Sequence, residues 1–250
     1  MKNIIKDFLL MVQFFTRFPI KINLPASPKN FRRGVVFLPL IGFIIGTCQY
    51  MLVRSLYALL PSSLLAGIAV ILPIIITGAL HIDGLGDSFD GFFAFTSDKD
   101  RRLEIMQDSS SGTFALCAIV SNILLQYLAI EYIIGQNKLN ILLVVIMFSK
   151  IFVLYTAMWG RPAKSKGSGN IFIGNMNIII VIVATIYSLI IAHIAIGLYP
   201  SLILLFAGGF VSFLFYLLSY KKIRGITGDT MGAIQELTTL VMLIVYCAII

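Results

Sequence analysis

The chain has 250 residues, 59% of them hydrophobic and 12% charged, with a formal net charge of +8 and a mean hydropathy of +0.98. A soluble domain of this length carries about twice that charged fraction. The apolar residues fall in long blocks, so a soluble globular fold is excluded. The pattern predicts an all-α, polytopic integral membrane helical bundle with its partner, the lipid bilayer, around it. In such a protein a positive balance marks basic loops on one membrane side and predicts no nucleic-acid partner. Cys48, Cys117 and Cys247 are isolated in apolar segments, without metal-ligand spacing or a disulfide framework. No linker or repeat divides the chain, which reads as a single domain over 1–250.

The N-terminal arm, residues 1–33, opens MKNIIKDFLLMVQFFTRFP. Charges interrupt its apolar run and no small-residue cleavage site follows, so an interfacial amphipathic helix is expected rather than a signal peptide. Seven segments then reach the roughly 20 residues a crossing needs, near 35–60, 64–80, 113–134, 139–159, 176–198, 200–220 and 231–250. The pairs around Pro61 and Pro200 read as helical hairpins, and Pro73 is expected to tilt or break the short second span.

Lysine and arginine sort by side. The arm and the loops near 81–112, 160–175 and 221–230 together hold 16, and the opposite side holds only Lys138. This bias places the N-terminus and these loops in the cytoplasm and the C-terminus outside. Lys150 lies inside a span, where it pairs with an acid or snorkels to the interface.

The acidic residues gather on that same side. Seven of the 11 lie between Asp83 and Asp108, beginning with HIDGLGDSFDG at 81–91. Asp83, Asp87 and Asp90 are spaced i, i+4, i+7, which aligns them on one helical stripe. Three carboxylates on a stripe repel unless a cation lies among them, and oxygen ligands suit Mg²⁺ or Mn²⁺. The three are therefore candidate metal ligands. Gly84, Gly86 and Gly91 allow close approach of a phosphate or a helix, and they weaken the helix enough to predict partial unwinding. His81 is a candidate base or orienting group, or simply a hydrogen-bonding residue at a helix end. Downstream, Asp108 closes RLEIMQD, and Arg102 pairs with nearby acids or with a substrate phosphate.

The second motif is RGITGDTMGAIQE at 224–236. Asp229 and Glu236 are seven apart and share a face if the helix starts early. Glu236 then lies about two turns into the membrane and needs a cation, an arginine or a metal. The plain alternative is a helix N-cap formed by Thr227 or Asp229.

In these residues the chain resembles the cobalamin synthase family, the membrane adenosylcobinamide-GDP ribazoletransferases. The family pattern H-x-D-G-L-x-D-x-x-D-G is met by His81, Asp83, Gly84, Leu85, Asp87, Asp90 and Gly91. R-L-E-I-M-x-D-S-x-x-G is met from Arg102 to Gly112, and G-x-T-G-D-x-x-G-A-x-x-E from Gly225 to Glu236. Thr16, Arg17 and Pro19 match an N-terminal T-R-x-P, and FLPLIG at 37–42 matches an apolar motif. The resemblance implies the last steps of cobalamin (vitamin B12) biosynthesis in a bacterial or archaeal cytoplasmic membrane. Adenosylcobinamide-GDP and α-ribazole, or its 5′-phosphate, would join with release of GMP. It implies a Mg²⁺-dependent phosphotransferase in which Asp83, Asp87 and Asp90 bind metal. His81, Asp108, Asp229 and Glu236 would be further ligands, bases or orienting groups, and Arg17, Arg102 and Arg224 would hold phosphates. A homo-oligomer stays open.

Two other classes compete. A CDP-alcohol phosphotransferase also sets aspartates on membrane helices, but no Ala-Arg pair follows Asp83-Gly84 here. A cation transporter needs acids at the bilayer midplane on several helices, whereas these cluster at one edge.

Overall fold

The computed structural model describes residues 2–250; Met1, the first residue of the arm, lies outside the described residues. The described residues form eleven α-helices and no strand, beyond one isolated bridge between Pro162 and Ile226. In order they are α1 (Lys2–Phe15), α2 (Pro28–Gly34), α3 (Leu38–Leu56), α4 (Ser62–Thr77), α5 (Leu80–Phe93), α6 (Lys99–Ile105), α7 (Thr113–Gly135), α8 (Leu142–Trp159), α9 (Ile178–Ile196), α10 (Leu198–Ile223) and α11 (Gly228–Ile249). Six helical stretches are long and apolar enough to cross a membrane, and a seventh arises if α4 and α5 count as one broken span. The protein is a polytopic membrane helical bundle, and the spans fall close to their expected places.

α8 lies at the centre. It packs on α3, α9, α10 and α11, and nearly every residue from Leu142 to Ala157 is buried. α7, α9 and α10 turn residues such as Leu124, Ile186, Ile190, Phe206 and Phe210 outward, the pattern of helices facing hydrocarbon. The α3–α8 contact uses small residues. Gly42 and Gly46 are one turn apart on α3. A Cβ on Gly42 would lie 2.7 Å from the Ile146 carbonyl oxygen, and one on Gly46 would clash with the Leu142 carbonyl. Backbones approach this closely only where no side chain intervenes.

α4 has 16 residues, so it is about 24 Å long and short for a crossing. Its break is not at Pro73. Proline deprives the Ala69 carbonyl of its helical donor, and the Gln49 amide from α3 donates to that carbonyl at 2.7 Å. The helix therefore runs on to Thr77 and turns by 90° into α5. Gly78 and Ala79 make that corner with φ of +63° at both, a left-handed conformation that is costly for alanine. α5 is then a continuous helix from Leu80 to Phe93, so the expected unwinding around its glycines does not occur. Packing on α11 and α7 supports it.

α1 buries Leu10, Met11 and Val12 and exposes Ile4 and Ile5, the two-faced form expected of an interfacial helix. Its buried Asp7 accepts from Arg33 at 2.8 Å and Asn30 at 2.9 Å, which fastens α1 to α2.

Candidate active site

Two helix starts meet at the site. The Cβ that Gly84 lacks would lie 2.7 Å from the Asp229 carbonyl oxygen and 3.0 Å from its Cα. The one that Gly232 lacks would lie 3.1 Å from the His81 carbonyl oxygen. The glycines of the two motifs are thus the surfaces on which α5 and α11 cross. The crossing brings Asp83 and Asp87 beside Asp229. Asp83 is exposed and the other two are partly buried.

Thr227 caps α11: its hydroxyl accepts from the Thr230 N–H at 3.2 Å, and the Thr230 hydroxyl accepts from the Thr227 N–H at 2.9 Å. This reciprocal box satisfies the helix start, and the Thr227 hydroxyl also donates to Asp229 Oδ2 at 3.2 Å, holding that carboxylate beside α5. Carboxylates of Asp83, Asp229 and Asp90 repel that of Asp87, and the Lys164 ammonium offsets them.

Lys164 escaped the sequence reading, where it counted only toward loop charge. Its Nζ lies 3.8 Å from Asp229 Oδ2. The loop carrying it is tied to the 224–228 loop: the Ile226 N–H donates to the Arg161 carbonyl at 2.8 Å, and the Ala163 N–H to the Ile226 carbonyl at 2.9 Å. Gly225 allows this approach, its absent Cβ falling 2.6 Å from the Arg161 carbonyl. The signal in the sequence was a lysine among Pro, Ser and Gly in RPAKSKG.

The expected trio on α5 divides. Asp90 is buried, and its oxygens accept from the backbone N–H groups of Gly112 at 2.5 Å and Ala115 at 2.8 Å. It caps the start of α7, where N–H groups lack helical partners, and so does not face Asp83 and Asp229. Among the described residues no three His, Cys, Asp or Glu side chains converge as a ready metal cage. Asp83, Asp87 and Asp229 still offer the donor chemistry for Mg²⁺, which takes one or two carboxylates and completes its shell with water and substrate phosphate.

Arg102 also departs from its expected phosphate contact. It is buried, and its guanidinium donates to the carbonyls of Gly91 at 2.7 Å, Phe92 at 2.6 Å and Thr96. It closes the C-terminal end of α5, where unpaired carbonyls favour a cation. Arg17 and Arg224 remain exposed. The Arg17 side chain lies over Gly78 at the α4–α5 corner, and Arg224 ends α10 with φ of +57°. Asp108 lies with Asp90 in a separate shallow depression. The Ser110 hydroxyl at 2.7 Å and N–H at 2.9 Å hold its carboxyl below the usual range.

Glu236 points into an interior chamber lined by Gln49, Gln126, Gln235 and Thr239. It accepts from Asn122 at 3.1 Å and Gln126 at 3.3 Å, with no arginine bonded to it among the described residues. Lys150 neither meets an acid directly nor snorkels. It is fully buried, donates to Gln235 Oε1 at 2.8 Å and lies 5.4 Å over the Phe15 ring. Asn122 and Gln126, one turn apart in an apolar span, were the readable sign of this polar interior. His81 lines both the chamber and the cleft beside Asp83 and Asp229. Its ring stacks on Phe15 at 6.5 Å, and its Nδ1 has no partner among the described residues.

The structure is a membrane helical bundle that gathers acidic and basic groups at one helix crossing. The chain belongs to the cobalamin-5-phosphate synthase family, whose model matches residues 7–247. It is 37% identical over 246 residues to the adenosylcobinamide-GDP ribazoletransferase of Clostridium tetani (strain Massachusetts / E88), covering 98% of each chain. The enzyme of that name from Clostridium botulinum (strain 657 / Type Ba4) is 40% identical over 245 residues, with 98% of each covered. The one from Clostridium kluyveri (strain NBRC 12016) is 38% identical over 256 residues, covering all of this chain and 99% of the relative. No solved structure matches the chain.

Proposed function

We propose that this enzyme joins adenosylcobinamide-GDP to ribazole in the final step of cobalamin synthesis, with Mg²⁺ at the α5–α11 crossing. The observation that carries the reading is the meeting of Asp83 and Asp87 with Asp229 and Lys164, residues from three separate segments, around the glycine crossing. In the reaction a ribose hydroxyl oxygen bonds to the phosphorus that carries the cobinamide. The anhydride P–O bond breaks, GMP leaves with the electron pair, and the hydroxyl proton is released.

Asp83, Asp87 and Asp229 would hold a divalent cation, which would supply positive charge to the pyrophosphate when bound. The chain's own groups do the rest. Lys164 contributes positive charge beside the leaving phosphate. Exposed Arg17 and Arg224 attract the anionic substrate to this end of the bundle. His81 orients the attacking hydroxyl from the cleft wall. Arg102 and Asp90 act at one remove: they fix the two ends of the α5–α7 connection so that the acids keep their places. The basic bias of the loops puts this end in the cytoplasm and the C-terminus outside.

The test is a turnover assay with the purified protein in detergent, adenosylcobinamide-GDP, α-ribazole and Mg²⁺, following GMP and cobalamin together. Equimolar products are expected. A folded protein that releases no GMP contradicts the reading, and CDP-alcohol substrates would be assayed next.

A further inference from the structure

We infer that the cleft beside Asp83 and Asp229 is the seat of the ribazole nucleoside, its apolar base in an aromatic slot and its ribose against the carboxylates. This deepens the function proposed above and rests on it for the identity of the nucleoside. The cleft, about 110 Å³ in volume, lies between α1, α5, α8, α11 and the 168–176 loop. Its walls change character along its length. One end holds Asp83, Asp229 and His81; the other is built from Phe14, Phe15, Phe172, Val153, Leu154 and Met176.

The aromatic rings form a connected set. Phe172 lies 6.1 Å from both Phe14 and Phe15, and Phe15 continues the stack onto His81 at 6.5 Å and 11°. No lysine or arginine lines the cleft, so its aromatic end offers a pyrophosphate no partner for its charge.

Chemistry separates the aromatic groups the two substrates bring. Guanine carries donors and acceptors around its ring edges, and each one buried against apolar walls without a partner is costly. The amide-fringed corrin has the same difficulty on a larger scale. A benzimidazole base has no exocyclic polar group and one free ring nitrogen, so it loses little here and gains stacking area. Its ribose hydroxyls are donors, which carboxylates accept. The polarity gradient therefore also sets the direction: base toward Phe172, ribose toward Asp83 and Asp229, with the attacking oxygen next to the acids that serve the pyrophosphate. α1 supplies Phe14 and Phe15, so the N-terminal arm is a wall of the substrate site.

The experiment is equilibrium dialysis of α-ribazole and, separately, adenosylcobinamide-GDP with the full-length protein in nanodiscs. Wild type is compared with Phe14→Ala, at an exposed residue, and with the milder Phe172→Leu, each checked for an unchanged thermal midpoint. Loss of one stacking face weakens α-ribazole binding about tenfold and leaves adenosylcobinamide-GDP within about twofold. Guanosine does not compete with α-ribazole, whereas benzimidazole riboside does. Unchanged α-ribazole affinity in both variants overturns the assignment, and so does weakened adenosylcobinamide-GDP binding instead. A wild-type protein that binds α-ribazole in this slot but never releases GMP would leave the assignment standing and sink the proposed reaction.

Discussion

Asp229 and Arg102 were read from the sequence as parts of one site, and their surroundings now separate them. Asp229 faces α5 and Lys164, whereas Arg102 is buried against three carbonyls of its own neighbourhood. Asp229→Asn keeps shape and hydrogen bonding, so turnover is expected to fall by at least about a hundredfold, a loss of roughly 2.7 kcal/mol or more in transition-state stabilisation. The thermal midpoint of the detergent-solubilised protein should barely move. Arg102→Ala leaves buried carbonyls unpaired and is expected to cost about 2–4 kcal/mol of stability, seen as a lowered midpoint with an unchanged KM for adenosylcobinamide-GDP in the folded fraction. Gly84→Ala is the complementary change. It adds one methyl against the Asp229 backbone, which has no flexible end to yield. It should reduce kcat at least about tenfold by spreading the carboxylates. Full activity in Gly84→Ala would show that the crossing does not set the site.

At the scale of elements, hydropathy made the spans legible: 113–134 was expected and α7 runs Thr113–Gly135. Less legible was anything decided by a partner helix. The i, i+4, i+7 stripe of Asp83, Asp87 and Asp90 is a property of α5 alone and is present, but the unpaired N–H groups of α7 arrive beside Asp90 and take it. Pro73 was a visible breaker, yet Gln49 from α3 repairs the carbonyl it orphans, and the corner falls at Gly78–Ala79 instead. The Gly42-x-x-x-Gly46 pattern was readable and passed over. Its weight is testable: Gly46→Leu pushes α3 from α8, the central helix, where overpacking costs about 1–3 kcal/mol or more. The expected result is a clearly lower thermal midpoint and poor recovery from the membrane. An unchanged midpoint would mean that the α3–α8 contact contributes little.

For the whole molecule, the arrangement places polar chemistry at one end and leaves most of α7, α9 and α10 as lipid-facing surface. The sidedness proposed from loop charge makes a direct prediction in intact cells. A cysteine at Lys138, on a background with the three native cysteines replaced by serine or alanine, should react with a membrane-impermeant maleimide added outside. A cysteine at Lys222 should react only after permeabilisation. The reverse pattern would invert the bundle and put the site on the wrong side for cytoplasmic nucleotides. The sidedness rests on charge bias alone, a property of loops that needs no packing. The slot beside the acids was not readable, because Phe14, Phe172 and Val153 are far apart in sequence and meet only in the folded chain.

The central claim is that the carboxylates gathered at the α5–α11 crossing hold the cation that activates the pyrophosphate. Its most direct test is Mg²⁺ titration of turnover after EDTA treatment, for wild type beside Asp87→Asn. The account predicts that wild-type turnover vanishes in EDTA and returns with Mg²⁺, while Asp87→Asn recovers little at any Mg²⁺ concentration. Turnover that persists in EDTA, or an Asp87→Asn variant that titrates like wild type, would contradict it.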